Sequence, residues 1–120
     1  CALSSTHIIK CFGDNSLGQL GYGDTVERGY NLSTMGTYLP AVDVGTDFIP
    51  KEVKCGKQHT CATSQDDKMK CWGNNESGQL GYEDTNHRGD EPGEMGDDLP
   101  VINLLEYTSQ PTSNPTVPPT

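Results

Sequence analysis

Shifting the sequence against itself by 60 residues produces a register that never slips, and this constrains the fold more than any other feature. Cys1 falls on Cys61, Cys11 on Cys71, and Gly18-Gln19-Leu20-Gly21-Tyr22 on Gly78-Gln79-Leu80-Gly81-Tyr82. Asp24-Thr25, Arg28-Gly29, Met35-Gly36 and Leu39-Pro40 recur as Asp84-Thr85, Arg88-Gly89, Met95-Gly96 and Leu99-Pro100. A fixed period of this size specifies a repeat architecture, in which each unit buries its apolar face against a neighbour and not within itself. The chain divides into a first unit over 1–60, a second over 61–107, and a Pro/Thr/Ser-rich tail over 108–120.

Composition supports an all-β reading of these units. Only 32% of residues are hydrophobic, too few for the continuous interior of a self-sufficient enzyme fold. Fourteen Gly and eight Pro point to many turns joining short strands. The net charge of -9 argues against nucleic acid and anionic membranes as partners, since both select clustered Lys and Arg. No apolar run approaches the length of a membrane span. Five Cys in so short a chain fit an oxidising, extracellular compartment: a secreted protein, at a cell surface or on a flagellar appendage. The abrupt opening at Cys1 predicts an upstream segment, removed or not included.

Within a unit, Thr60-Cys61-Ala62-Thr63 and Met69-Lys70-Cys71-Trp72 read as strands flanking a polar turn. Centred on Asp66, this hairpin places Cys61 opposite Cys71; the same arithmetic centred on Thr6 places Cys1 opposite Cys11. Directly opposed residues in a non-hydrogen-bonded pair are within disulfide reach. Closing loops this short stabilises each hairpin by roughly 2 to 3 kcal/mol in the chain-entropy model. Cys55 is left over, to bond a partner chain, to bond a missing segment, or to lie buried as a small apolar residue. Zinc is set aside, because no Cys-x-x-Cys spacing occurs.

The stretch Cys55-Gly56-Lys57-Gln58-His59-Thr60-Cys61-Ala62, followed by Lys70-Cys71-Trp72-Gly73-Asn74-Asn75-Glu76-Ser77-Gly78-Gln79-Leu80-Gly81, resembles a repeat of the regulator-of-chromosome-condensation family. The first unit carries the second half, Lys10-Cys11-Phe12-Gly13-Asp14-Asn15-Ser16-Leu17-Gly18-Gln19-Leu20-Gly21, with Phe12 where the family usually has Trp. The resemblance covers roughly residues 1–105. It implies tandem four-stranded β-propeller blades, an incomplete ring where a full member has seven. Cysteines on both hairpin strands resemble the secreted variant of the family.

Structural roles for these residues follow from their chemistry. Gly13, Gly18, Gly21, Gly73, Gly78 and Gly81 suit positive φ or close packing. Asn15 and Asn75 suit hydrogen bonds to the backbone of the turn that follows. Leu20, Leu80, Phe12 and Trp72 are expected between adjacent blades. Gln19 and Gln79 belong to the same motif, and His59 is expected to be buried and hydrogen-bonded.

Few residues offer chemistry. Cys61, once bonded, is no nucleophile for His59 to activate, no phosphate-binding glycine loop occurs, and no catalytic residue or organic cofactor is assigned. Asp84, Asp90, Glu91, Glu94, Asp97 and Asp98 crowd the insertion of the second unit and form a candidate Ca²⁺ cluster, although their spacing is not that of an EF-hand and a solvated acidic loop is the alternative. Arg28 and Arg88 are expected to pair with Asp24 and Asp84. Asn31 and Asn75 stand in N-glycosylation sequons, Asn31 being the better placed. Thr108, Ser109, Thr112, Ser113, Thr116 and Thr120 suit O-glycosylation on an extended tail.

Two blades cannot close a ring, so the chain needs partners: copies of itself or neighbouring repeats. The reading that follows is a non-enzymatic extracellular structural protein, part of a cell-surface or flagellar-hair-like fibre assembled through blade-to-blade contacts. The alternative is a protein- or glycan-binding fragment of a closed secreted propeller. Guanine nucleotide exchange, implied by the resemblance, comes last given the acidity and the disulfides.

Overall fold

A computed structural model describes residues 1–102; the tail and its O-glycosylation candidates lie outside the described residues. The described chain is all-β, with short 3-10 turns at Leu32–Thr34, Gly36–Tyr38 and Gly96–Asp98. In the first unit β1 (Ala2–Leu3) pairs antiparallel with β2 (Ile9–Lys10). Around the second unit β3 (Pro50–Cys55), β4 (His59–Ser64) and β5 (Met69–Gly73) form one antiparallel sheet in that order. The β4–β5 register sets Cys61 opposite Cys71 and centres the turn on Asp66, with Asp67 in the left-handed region at φ 65. Both expected disulfides are present, Cys1–Cys11 and Cys61–Cys71, with Cα atoms 4.0 and 4.1 Å apart.

The four-stranded blade implied by the resemblance is realised as three strands and a single bridge, Gly73 with Arg88; Gly13 with Arg28 is its copy in the first unit. The reason is local. Gly73 has φ 108, a conformation that ends strand geometry, and the chain beyond it is spent on a long turn.

Alternation along β4 and β5 separates two faces of the sheet. Thr60, Ala62, Lys70 and Trp72 point one way, towards the first unit. Cys61, Met69 and Cys71 point the other way. The main core mixes the two units: Ile9, Cys11, Leu20, Val42, Val44 and Phe48 from the first pack with Ala62, Trp72 and Leu99 from the second. A smaller cluster of Cys71, Leu80 and Ile102 lies on the far face of the second unit. It repeats Cys11, Leu20 and Val42 of the first unit. The core therefore lies largely between the units, as a repeat architecture requires.

Candidate docking faces

Each unit builds its Gly-Gln-Leu-Gly turn around a fully buried asparagine. Asn15 Oδ1 accepts from Leu20 N at 3.0 Å, and its Nδ2 donates to the carbonyls of Asp24 and Val26. Asn75 does the same with Leu80, Asp84 and Asn86. The aspartate that follows is held by its arginine through paired bonds: Arg28 Nη1 and Nη2 to Asp24 at 3.0 Å, and Arg88 to Asp84 at 3.1 and 3.0 Å. These guanidinium bonds hold both carboxyls below their ordinary range. Each arginine also lies over a tyrosine ring, Tyr22 or Tyr82, with its central carbon 4.3 or 4.8 Å from the ring centre.

Those tyrosines do work the sequence reading left unassigned. Tyr22 Oη accepts from Cys11 N and donates to Cys11 O; Tyr82 clamps Cys71 in the same way. Burial pushes both phenols up, so the hydroxyl keeps the proton it donates. The legible signal was a Tyr eleven residues after a Cys in both units.

Across the internal interface the turn of the first unit docks on the second. Gly21 has φ 81, and a Cβ there would lie 2.7 Å from Trp72 Nε1; one at Gly18 would collide with the Asp90 backbone. No other residue type fits this approach. Gly23 N donates to Gly89 O at 2.9 Å and Gly96 N to Asp43 O at 2.8 Å, while Thr60, on the strand β4 that leads into the second unit, donates its Oγ1 to Gln19 O at 2.8 Å. Lys70 Nζ bridges the units, donating to Val44 O at 2.8 Å and Gly96 O at 3.0 Å. Its burial draws its pKa below the usual lysine value.

Among the described residues, several sixty-residue equivalents of these contacts are open. On the leading face of the first unit Phe12 is 49% exposed, whereas Trp72 is 0% exposed. Phe12 was expected between blades; it is uncovered because nothing among the described residues occupies the side of the first unit that corresponds to the Trp72 interface. Gly29 and Gly36 are exposed where Gly89 and Gly96 are buried. Tyr30 and Leu32, at 73% and 91% exposed, lie on the loop that follows Gly29. Their loop is rigidly built: Asn31 Oδ1 accepts from Ser33 N, and Thr34 Oγ1 accepts from Gly29 N. On the trailing face of the second unit Gly78, Gln79 and Gly81 are exposed where Gly18, Gln19 and Gly21 are buried.

Other expected sites fall as follows. Asn31 is exposed with its Nδ2 outside the cap, a geometry open to a glycan. Asn75 is excluded as an acceptor in this fold, being buried with Nδ2 donating to three oxygens. His59 is half-buried, not buried, and its ring lies against Gly56, whose lack of a side chain makes the room; no hydrogen bond to the ring occurs among the described residues. Cys55 is a free, exposed thiol, which removes the buried alternative; its Sγ lies 3.8 Å from Cys1 N.

Of the acidic candidates, Asp84 is held by Arg88 and Asp97 by Thr46 N, at 2.8 Å. Asp90, Glu91 and Glu94 converge, with carboxylate oxygens within 4.8 Å of one another, in a depression of about 490 Å³ that Asp98 also lines. This is the group among the described residues that could hold a cation. Glu94 is already engaged, accepting from Gly89 N and Glu91 N, and burial and then the adjoining Asp90 carboxyl push its pKa up.

Residues 51–79 match the family described as "Regulator of chromosome condensation (RCC1) repeat". The chain carries an RCC1-like repeat. The matched segment runs from β3 through β5 to the Gly78-Gln79 turn, so it takes in the buried Trp72 and the start of the second docking turn. The chain is also 36% identical over 76 residues to the mouse protein "X-linked retinitis pigmentosa GTPase regulator". That match covers 63% of this chain but only 7% of the relative's length.

Proposed function

We propose that this chain is a non-enzymatic, extracellular protein-binding module built from propeller-type blades, acting through the leading face of its first unit. One observation carries the reading. Phe12 stands exposed against Gly29, and exposed Tyr30 and Leu32 follow that glycine on a loop pinned by its own hydrogen bonds. Rigid, exposed aromatic and aliphatic side chains of this kind form the anchors of protein interfaces. The matching loop of the second unit carries Asp90 and Pro92 in place of Tyr30 and Leu32, so the apolar surface belongs to the first unit alone. The two disulfides support an oxidising location, and among the described residues no helix is long and apolar enough to cross a membrane. The relative's name speaks of GTPase regulation; the chain's acidity and disulfides support an extracellular role more directly.

A photo-crosslinking residue at position 12, in protein returned to its source cells, tests the reading. It predicts one defined protein adduct, absent when the probe is placed at exposed Lys68 in the turn between β4 and β5. Equal labelling from both positions, or none from either, overturns it.

A further inference from the structure

We infer that the leading face of the first unit binds the trailing face of the second unit of another copy of this chain, head to tail. The inference rests on the protein-binding reading and names its partner.

Both halves of one interface are present twice, and among the described residues one pair is joined internally. Inside the chain, the turn Gly18–Tyr22 receives Trp72, Gly89 and Met95, and Gly96 docks beside it on Asp43. The leading face presents Phe12, Gly29, Met35 and Gly36 at the same repeat positions. The trailing face presents the identical turn, Gly78-Gln79-Leu80-Gly81-Tyr82. Burial marks the unused halves: Gly18, Gln19 and Gly21 are buried, Gly78, Gln79 and Gly81 exposed; Gly89 and Gly96 are buried, Gly29 and Gly36 exposed.

Polar groups follow the same division. Lys70 Nζ has two carbonyl partners, one in each unit, whereas Lys10 Nζ reaches only Gly36 O, at 3.4 Å. Gly96 N donates to Asp43 O, whereas Gly36 N has no partner among the described residues. The leading face thus carries unmet donors where the internal interface supplies acceptors from the neighbouring unit.

The sequence differences between the two units are compatible with docking. Both glycines that must accept close approach are retained, as Gly78 and Gly81. Gly23 is replaced by Glu83, and there a Cβ would make only ordinary contacts, the nearest at 3.6 Å. Glu83 already holds φ 65, close to the φ 77 of Gly23. Phe12 for Trp72 is the smaller of two aromatic side chains. Charge favours unlike units: residues 1–60 carry five basic and six acidic side chains, and 61–120 three and eleven, so pairing two second units would crowd acids together. A contact joining different surfaces is heterologous, and it propagates unless its rotation closes.

Sedimentation velocity on the oxidised, full chain tests this with two variants. Phe12→Asp spoils the leading face. Gly78→Asn spoils the trailing face; it adds a side chain into space where the nearest atom is 4.0 Å from the Cβ position, and asparagine tolerates positive φ. Trp72 emission, buried inside each molecule, verifies that both remain folded. Wild type should grow in mass with concentration. Each variant alone should lose that growth. An equal mixture should form a species of twice the monomer mass and stop there, because one intact face of each kind survives.

Variants that still grow, or a mixture that stays monomeric while wild type grows, overturn the head-to-tail assignment. Monomeric wild type at every concentration, with a crosslink from position 12 to a different protein, overturns the choice of partner and leaves the protein-binding reading standing. No crosslink at all overturns both.

Discussion

Trp72→Ala and Phe12→Ala remove aromatic side chains from the same position of two repeats, and the structure requires very different costs. Trp72 is 0% exposed and packs in the core shared by both units. A tryptophan of this kind buries about 150–250 Å², which at ~25 cal/mol per Å² is roughly 4–6 kcal/mol of transfer free energy. Alanine retains part of this and the site collapses in part, so the expected loss is about 3–5 kcal/mol. Against a total of roughly 5–15 kcal/mol for a domain of this size, that change leaves the fold marginal. Phe12 is 49% exposed, so its removal from a dilute monomer should cost about 1 kcal/mol or less. Guanidinium denaturation followed by far-UV circular dichroism, at concentrations below self-association, measures both without relying on the deleted fluorophore. Equal losses for the two variants would refute the claim that the core lies between the units.

Removing Cys61 and Cys71 together as alanines opens a loop with a separation of ten residues and should cost about 2.7 kcal/mol in the chain-entropy model, as should the Cys1/Cys11 pair; denaturant midpoints measure both. Trp72→Phe should cost much less than Trp72→Ala, since the buried Nε1 has no hydrogen-bond partner to lose among the described residues; the same denaturation assay ranks the two. Asp24 and Asp84 have lowered pKa values, so their stabilising contribution is present above the ordinary value of 3.8 and is lost only as pH falls through the lower folded value. Asp84→Asn should therefore flatten the acid limb of a melting-temperature profile below that pH. Glu94 has a raised pKa, so its contribution is favourable below the ordinary 4.5 and turns unfavourable as pH rises through the folded value. Glu94→Gln keeps the Oε1 acceptor and should raise the melting temperature at neutral pH, with the gain vanishing in acid.

Much of this fold was legible because the sequence writes it twice. The sixty-residue register located the hairpins, and directly opposed cysteines in each hairpin identified their own partners. Asn15 and Asn75, with the Asp–Arg pairs, were legible because their bonds are local and turn chemistry is short-range. Phe12 was misplaced for the opposite reason: a repeat position states what a side chain packs against when a neighbour is there, not whether it is. Asn75 matches a sequon in three residues, yet the contacts that consume its amide come from Asp84 and Asn86, nine and eleven residues on. His59 was expected to be buried because the motif marks it as structural, but its ring rests on Gly56 at the rim of the sheet. The tyrosine clamps on Cys11 and Cys71 were visible as an offset but carry no composition signal that distinguishes a clamp from a core ring.

The central claim is that one interface is filled at the first docking turn and, among the described residues, open at the second, and hydrogen exchange tests it most directly. Gly18–Tyr22 and Gly78–Tyr82 have the same five residues and the same local hydrogen bonds: the first Gly N to an Asn carbonyl, Leu N to Asn Oδ1, and the second Gly N to the first Gly O. Their internal chemistry is therefore matched, and the neighbouring unit is the principal difference. In dilute monomer the account predicts strong protection of the amides in 18–22 and faster exchange in 78–82. Equal exchange in the two turns would contradict it.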